Sequence, residues 1–218
     1  MKRIKGYQRY GDRDDTWRVF HIMSEFVEGY ETLSKIGKAV SVFGSARVGK
    51  RSKYYRTGER IGYLLAKAGY AVITGAGPGL MESANRGAKR AGGESIGLNI
   101  VIPTEQKPNP HLTTLLNFRY FFCRKVMFLR YAKGFIFLPG GYGTMDELFE
   151  ALNLIQTKRE KPFPVVLIGK KYWKGLIDWL KKESVAGGYI TQNDLKIINV
   201  TDSAFEAVSL IRKFVAEK

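Results

Sequence analysis

The chain has 218 residues, 44% of them hydrophobic, which favours one folded α/β domain over a disordered chain. Its formal charge of +16 favours an anionic ligand, but the basic residues are scattered without a nucleic-acid-binding motif, so we do not expect nucleic acid as a partner. Met1–Trp17 has no apolar core of a signal peptide and no later stretch is long and apolar enough to span a membrane, so the sequence predicts a cytoplasmic protein without membrane contact. The single cysteine, Cys123, can form neither an internal disulfide nor a cysteine-rich metal site.

An amphipathic helix is predicted over Asp15–Lys35, ahead of the first strand. Large apolar side chains recur along it and form what we call the N-terminal stripe: Trp17, Phe20, Met23, Val27 and Tyr30. The stripe packs either against its own domain or in a contact between subunits, and the sequence favours neither alternative. We therefore expect a single domain over 1–218, with a helical extension at residues 1–38 and an α/β core at residues 39–218.

Short apolar runs bounded by Gly or Pro alternate with helical patterns along the rest of the chain. They predict strands at Ala39–Gly44, Tyr70–Gly75, Ser95–Pro103, Gly134–Pro139 and Phe163–Gly169. Because runs that are apolar on both faces are typical of parallel sheets, the order predicts a Rossmann-like, doubly wound, mainly parallel sheet with helices on both faces. Two later patterns, Tyr172–Lys182 and Ser203–Lys218, predict helices that cover the sheet.

A first glycine loop follows the second predicted strand and leads into a helix. Gly75, Gly77 and Gly79 permit unusual backbone angles, and a helix N-terminus offers free N–H groups to an anion. The loop lacks the Lys-Ser/Thr pair of a P-loop, and its spacing is not that of the dinucleotide fingerprint. It is therefore either part of a phosphate site or a tight turn.

A second glycine loop, Pro139–Gly143, follows the fourth predicted strand and leads into a helix at Thr144. Two such loops at the carboxyl ends of parallel strands can hold a phosphate at a topological switch point. Thr144 and Glu147 also match the Thr-x-x-Glu capping box, so Glu147 is either a helix cap or a catalytic carboxylate. Asp146, expected in the first turn, is assigned a structural role through the helix dipole.

A further helix is predicted within Phe118–Leu129. It would place Arg124 on a side shared with aromatic and methionine side chains, shielded from water. A shielded guanidinium needs a hydrogen-bonded anion, which is a structural carboxylate, a ligand's phosphate or a catalytic carboxylate. Lys125 is interpreted as charge support, and Cys123 as a small core side chain.

These residues resemble the LOG (Lonely Guy) family. Its P-G-G-x-G-T-x-x-E motif is present at Pro139–Glu147, and its Arg-Lys pair stands at Arg124 and Lys125. The first loop, Gly75–Glu82, is similar to the variant in the longer members of the family, and Phe43–Arg47 after the first strand is also similar.

The resemblance implies hydrolysis of the N-glycosidic bond of a nucleoside 5′-monophosphate, AMP or an N6-modified AMP, to free base and ribose 5-phosphate, without metal or cofactor. It implies a homo-oligomer, dimeric or larger, and a catalytic pair formed by Arg124 and Glu147. The residues implied to bind phosphate and ribose are Gly140, Gly141, Gly143, Thr144, Lys125, Gly77 and Gly79. Those implied to form the pocket wall are Gly44, Ser45, Pro78, Leu80, Met81 and Glu82.

Two other functions remain at this point. A non-catalytic nucleotide sensor or carrier would use the same loops without turnover, and an RNA-binding protein would use the positive charge. The Arg124 and Glu147 pair favours the hydrolase, because a sensor needs the phosphate loops but not that pair. The label "lysine decarboxylase", often carried by family members, finds little support, since no pyridoxal-phosphate site is recognisable.

Overall fold

The computed structural model describes residues 15–102, 107–159 and 162–216. Its elements, in chain order, are α1 (Asp15–Leu33), β1 (Ala39–Phe43), α2 (Lys53–Lys67), β2 (Ala71–Thr74), α3 (Leu80–Arg90), β3 (Ser95–Ile100), β4 (Thr114–Phe118), α4 (Phe121–Tyr131), β5 (Ala132–Phe137), α5 (Tyr142–Gln156), β6 (Val165–Ile168), α6 (Lys170–Trp179) with a π-helical continuation (Leu180–Val185), α7 (Gln192–Leu195), β7 (Ile198–Thr201) and α8 (Ala204–Ala216).

Some expectations fall outside the described residues. Most of Met1–Trp17 does, as do the last residue of the predicted strand Ser95–Pro103 and the last two of the predicted helix Ser203–Lys218. Among the described helices, none has the length and apolar character that crossing a bilayer requires.

The strands form one seven-stranded parallel sheet in the order β4-β3-β2-β1-β5-β6-β7. The strand order reverses between β1 and β5, and this is the topological switch point of a doubly wound sheet. β1, β2, β3 and β6 are buried along their whole length, as expected for a parallel sheet covered on both faces. The predicted Rossmann-like class is confirmed.

Alternate side chains of the strands enter two hydrophobic cores, one on each face of the sheet. Val40 and Val42 of β1 pack with apolar residues of α2, α3 and α8. Phe43 belongs to the opposite core, with residues of α4 and α5, and its ring lies 4.9 Å from that of Phe128. The carboxyl ends of the central strands are therefore held firmly from both sides.

Two edge strands are absent from the sequence prediction. β4 includes Phe118, so the predicted helix Phe118–Leu129 is wrong at its start, and α4 begins at Phe121. Side chains of β4 alternate between buried and exposed from Leu115 onward, but this run is too short to separate from a helical pattern. β7 is only half-buried along most of its length, so it lacks the apolar run that marks the inner strands.

The predicted N-terminal helix is confirmed as α1, and it packs against α4. The Glu25 carboxylate accepts hydrogen bonds from the backbone N–H groups of Arg119, at 2.8 Å, and Tyr120, at 3.3 Å. Every side chain of the N-terminal stripe is exposed, from 39% for Tyr30 to 62% for Trp17. The described part of the protein, residues 15–102, 107–159 and 162–216, therefore leaves the stripe largely uncovered.

Cys123 lies in the first turn of α4 and is fully buried, as expected for a core side chain. Burial, together with the neighbouring Glu25 carboxylate, raises the pKa of its thiol to about 11. The thiol is therefore protonated and inert at neutral pH.

Candidate active site

A cavity of about 620 Å³ lies at the carboxyl ends of β1 and β5, at the switch point of the sheet. Its size suits a mononucleotide, because small-molecule pockets typically span about 300–1,000 Å³. Its walls come mainly from the loop after β1, the loop after β5, the start of α5 and one face of α4. The lining residues are Phe43, Gly44, Ser45, Ala46, Arg47, Gly75, Met81, Ile100, Arg124, Phe128, Gly140, Gly141, Tyr142, Gly143, Thr144, Met145 and Glu147.

The second glycine loop places the N-terminus of α5 at the wall of this cavity. α5 begins at Tyr142, and the preceding residue, Gly141, has no side chain with which to cap it. A Cβ atom added at Gly141 or Gly143 would meet nothing within 4 Å, so both glycines face open space. The helix start therefore presents backbone N–H groups and the positive end of its dipole to a ligand, which is the chemistry of an anion site.

The capping-box interpretation of Thr144 and Glu147 is wrong. Thr144 is the third residue of α5 and not its cap, and its side chain packs against Gly140. Glu147 lies a full turn further along the helix. Asp146 also lies beyond the first turn, and it forms an ion pair with Lys125 at 2.9 Å, so its structural role comes from that pair and not from the helix dipole.

Glu147 lines the cavity while only 7% of its surface is exposed. Burial raises the pKa of its carboxyl group to about 7, although the positive charges of Lys125 and Arg124 act in the opposite direction. A carboxyl group that titrates near neutral pH can exchange protons with a substrate or a water molecule under physiological conditions.

Arg124 also lines the cavity, and its guanidinium carbon lies over two aromatic rings, 5.2 Å from the centre of Phe121 and 5.5 Å from that of Phe128. Burial lowers the pKa of the guanidinium, while Glu147 and Asp146 partly compensate. Arg124 as a whole is half-buried, and the predicted shielding from water applies to its fully buried Nε atom. Its buried Nε has no hydrogen-bond partner within residues 15–102, 107–159 and 162–216. Since an unsatisfied buried donor costs about 1–3 kcal/mol, this atom is suited to a ligand acceptor.

Lys125 is not among the residues that line the cavity. Its ammonium group lies 2.9 Å from Asp146 Oδ2 and 3.0 Å from Glu150 Oε2, and both carboxylates belong to α5. These ion pairs join α4 to α5. The geometry fits the interpretation as charge support, and the contact of Lys125 with phosphate stays a prediction.

The first glycine loop contributes less to the cavity than the sequence predicts. Gly75 and Met81 line it, whereas the remaining predicted residues of this segment do not: Gly77, Pro78, Gly79, Leu80 and Glu82. The Asn109 side-chain amide instead fixes the loop by donating to the carbonyl oxygens of Ala76, at 3.0 Å, and Gly77, at 3.2 Å.

Gly79 shows why glycine is required in this loop. Its φ is 69°, and an added Cβ would lie 2.5 Å from the carbonyl oxygen of Ser45. The backbone N–H of Leu80 donates to that same oxygen at 2.9 Å. The close approach is therefore made by the loop after β1 and not by a ligand.

Glu82, in the first turn of α3, strengthens the contact between the first glycine loop and the loop after β1. Its buried carboxylate lies 3.0 Å from Lys50 Nζ, in the loop after β1, and 3.7 Å from His111 Nε2. Burial lowers the pKa of His111, so its imidazole is mainly neutral at pH 7. Three segments thus converge on one carboxylate outside the cavity.

The loop after β1 supplies the predicted Gly44 and Ser45 and also two residues that sequence reasoning did not assign to the site, Ala46 and Arg47. Tyr142, also unassigned, stands at the cavity with 96% of its surface exposed. The Phe43–Arg47 segment was recognised in the sequence. Nothing in that segment, however, shows whether the Arg47 side chain points into a binding site or into solvent.

Comparisons with known proteins agree with this geometry. A family model described as "Possible lysine decarboxylase" matches residues 81–211. A cytokinin riboside 5′-monophosphate phosphoribohydrolase of Rhodococcoides fascians is 29% identical over 181 residues, which cover 80% of this chain and 89% of that protein. The cytokinin riboside 5′-monophosphate phosphoribohydrolase LOG4 of Arabidopsis thaliana is 30% identical over 188 residues. These residues cover 83% of this chain and 84% of the relative.

Among solved structures, the X-ray structure of TM1055 is similar with a TM-score of 0.63 and 27% identity. The match covers 81% of this chain and 99% of that one. The matched family region begins at Met81 and includes Arg124, the second glycine loop and Glu147. The chain therefore belongs to the family of the "Possible lysine decarboxylase" model, which is the LOG family.

Proposed function

We propose that the protein hydrolyses the N-glycosidic bond of a nucleoside 5′-monophosphate such as AMP, releasing the free base and ribose 5-phosphate. The observation that carries the proposal is the buried Glu147 carboxyl group, with its pKa raised to about 7, beside the shielded guanidinium of Arg124 in a cavity of nucleotide size. The names of the relatives support the same reaction.

In this reaction the bond from C1′ to the base nitrogen breaks, and water oxygen bonds to C1′. The sugar passes through an oxocarbenium-like state, which a nearby carboxylate stabilises. Glu147 in its ionised form would supply that charge and orient the attacking water, while the water proton leaves with the base. Arg124 would hold ribose or phosphate oxygens through the buried Nε and its neighbouring N–H groups.

A nucleotide carrier would use the same fold, but Glu147 argues against it. A buried carboxylate in a phosphate-binding cavity repels its ligand, and burying a charge is unfavourable unless another interaction compensates. A carrier gains nothing from that carboxylate, whereas a hydrolase needs it at the sugar carbon. Turnover therefore separates the two functions.

The test is incubation with a panel of nucleoside 5′-monophosphates, followed by chromatography for released base. AMP should be cleaved with a much higher kcat/KM than adenosine, because binding of the phosphate at the start of α5 helps to orient the sugar. Equal values for AMP and adenosine, or binding without release of any base, would favour another substrate class or a carrier.

We further propose that the protein is a homo-oligomer and that it is cytoplasmic. The exposed N-terminal stripe supports a homo-oligomer, since contiguous apolar surface of this kind typically marks an interface. The single cysteine, in a chain that can form no internal disulfide, is consistent with a cytoplasmic protein built as one domain.

A further inference from the structure

The cavity contains two guanidinium groups in different settings. Arg124 lies over the rings of Phe121 and Phe128, and its charge interacts with that of Glu147. Arg47 is exposed and lines the same cavity from the loop after β1. Within the described part of the chain, Arg47 has no carboxylate within ion-pair distance, so its charge is available to a ligand.

The backbone that carries Arg47 is fixed from two sides. The N–H of Ser45 donates to the carbonyl of Pro139 at 3.0 Å, and the carbonyl of Ser45 accepts from the N–H of Leu80 at 2.9 Å. The Ser45 hydroxyl then accepts from the N–H of Arg47 at 3.1 Å, which fixes the turn between the two residues. The backbone position of this arginine is therefore set by the two glycine loops.

A bound 5′-phosphate carries nearly two negative charges, and the site has few ways to balance them. The start of α5 offers backbone N–H groups and about half a positive charge. Lys125 is occupied by Asp146 and Glu150, and Arg124 lies next to Glu147. One more cation is needed, and a planar guanidinium can bind a phosphate through two parallel hydrogen bonds.

We propose that Arg47 binds the 5′-phosphate of the substrate against the N-terminus of α5, leaving Arg124 for the sugar and for Glu147. This assignment rests on the proposed function and adds to it the residue that selects phosphorylated over unphosphorylated nucleosides. Arg47 acts in binding and makes no contact with the bond that breaks.

The experiment compares the wild type with Arg47→Ala, Arg47→Lys and a matched control, Arg51→Ala. Arg51 is an exposed arginine of the same loop that does not line the cavity, so its loss removes the same charge without touching the ligand. We expect Arg47→Ala to lower kcat/KM for AMP by about 10- to 100-fold, mainly through KM, and to leave adenosine unchanged. Arg47→Lys should recover part of the loss, because a point charge replaces only part of a bidentate contact.

Binding of AMP and of inorganic phosphate, measured by calorimetry, separates this assignment from the reaction itself. If the wild type cleaves no nucleotide, the proposed function fails, but weaker AMP and phosphate binding by Arg47→Ala than by Arg51→Ala would still support the assignment. Equal effects of Arg47→Ala and Arg51→Ala, or equal losses on AMP and adenosine, would overturn it. No binding of AMP or phosphate by the wild type would overturn both.

Discussion

At Glu147 the requirements of catalysis and of stability oppose each other, because the protein buries a carboxyl group that the proposed reaction needs in its charged form. Glu147→Gln keeps the size of the side chain and one acceptor oxygen, but it removes the charge and replaces the other oxygen with an amide donor. We expect kcat for AMP to fall by at least about 100-fold, as for the loss of a positioned charged group. The control is Glu183→Gln, an exposed carboxylate far along the chain, which should retain wild-type activity.

The same variant should be more stable than the wild type at high pH. The folded protein holds a proton on Glu147 up to a pH of about 7, whereas an unperturbed carboxyl group releases it near 4.5, so wild-type stability falls as pH rises between these values. The difference corresponds to about 3 kcal/mol at most. Thermal melts should therefore give a higher Tm for Glu147→Gln than for the wild type at pH 8, and a smaller difference at pH 5. Near-normal turnover in this variant would show that Glu147 is not catalytic.

At the level of elements, the first glycine loop and α3 act on the site through the loop after β1. Gly79→Ala would place a methyl group 2.5 Å from the carbonyl oxygen of Ser45 in a backbone with φ of 69°. We expect it to displace Ser45 and Arg47, and so to lower kcat/KM for AMP together with Tm.

Gly69→Ala is the matched control for this change. Gly69 also has a positive φ, of 81°, but an added Cβ there meets nothing within 4 Å. Both variants place an alanine at a positive φ, which costs at least about 1 kcal/mol, and only Gly79→Ala adds the collision. If both lose stability and activity equally, the loop does not position the site.

This loop also marks a limit of prediction from sequence. A glycine that lets a ligand approach and a glycine that lets another backbone segment approach have the same pattern, so Gly77 and Gly79 could not be assigned before the packing was known. The second loop was easier to interpret, because its glycines lead directly into α5 and Glu147. Arg47 had no periodic or motif signal that could reveal where its side chain lies.

For the whole molecule, the inner strands and the parallel class of the sheet could be predicted, because strands buried on both faces are mainly apolar. The edge strands β4 and β7 could not, since their side chains alternate or are half-buried and the runs are short. The N-terminal stripe left two alternatives open in the sequence, and its exposure among the described residues supports the proposed contact between subunits.

We expect the protein to form a homo-oligomer through this stripe. Light scattering should give a mass at least twice that of one chain, and Phe20→Asp should reduce it, because a charge cannot be buried in an apolar contact. Phe20 is already 57% exposed in the protomer, so the variant should still fold. Phe205→Asp, a change at an exposed phenylalanine of α8, is the control that should leave the mass unchanged. A monomeric wild type at working concentration would contradict the assembly.

The position of Cys123 gives the protein a built-in chemical reporter. Its thiol is the only one in the chain, and it lies buried in α4 beside Glu25 of α1, so a thiol reagent can reach it only when α1 separates from α4 or the domain unfolds. The rate of modification thus measures how often the N-terminal helix detaches. If subunits associate through that helix, the rate should fall as protein concentration rises, because association favours the attached form by mass action.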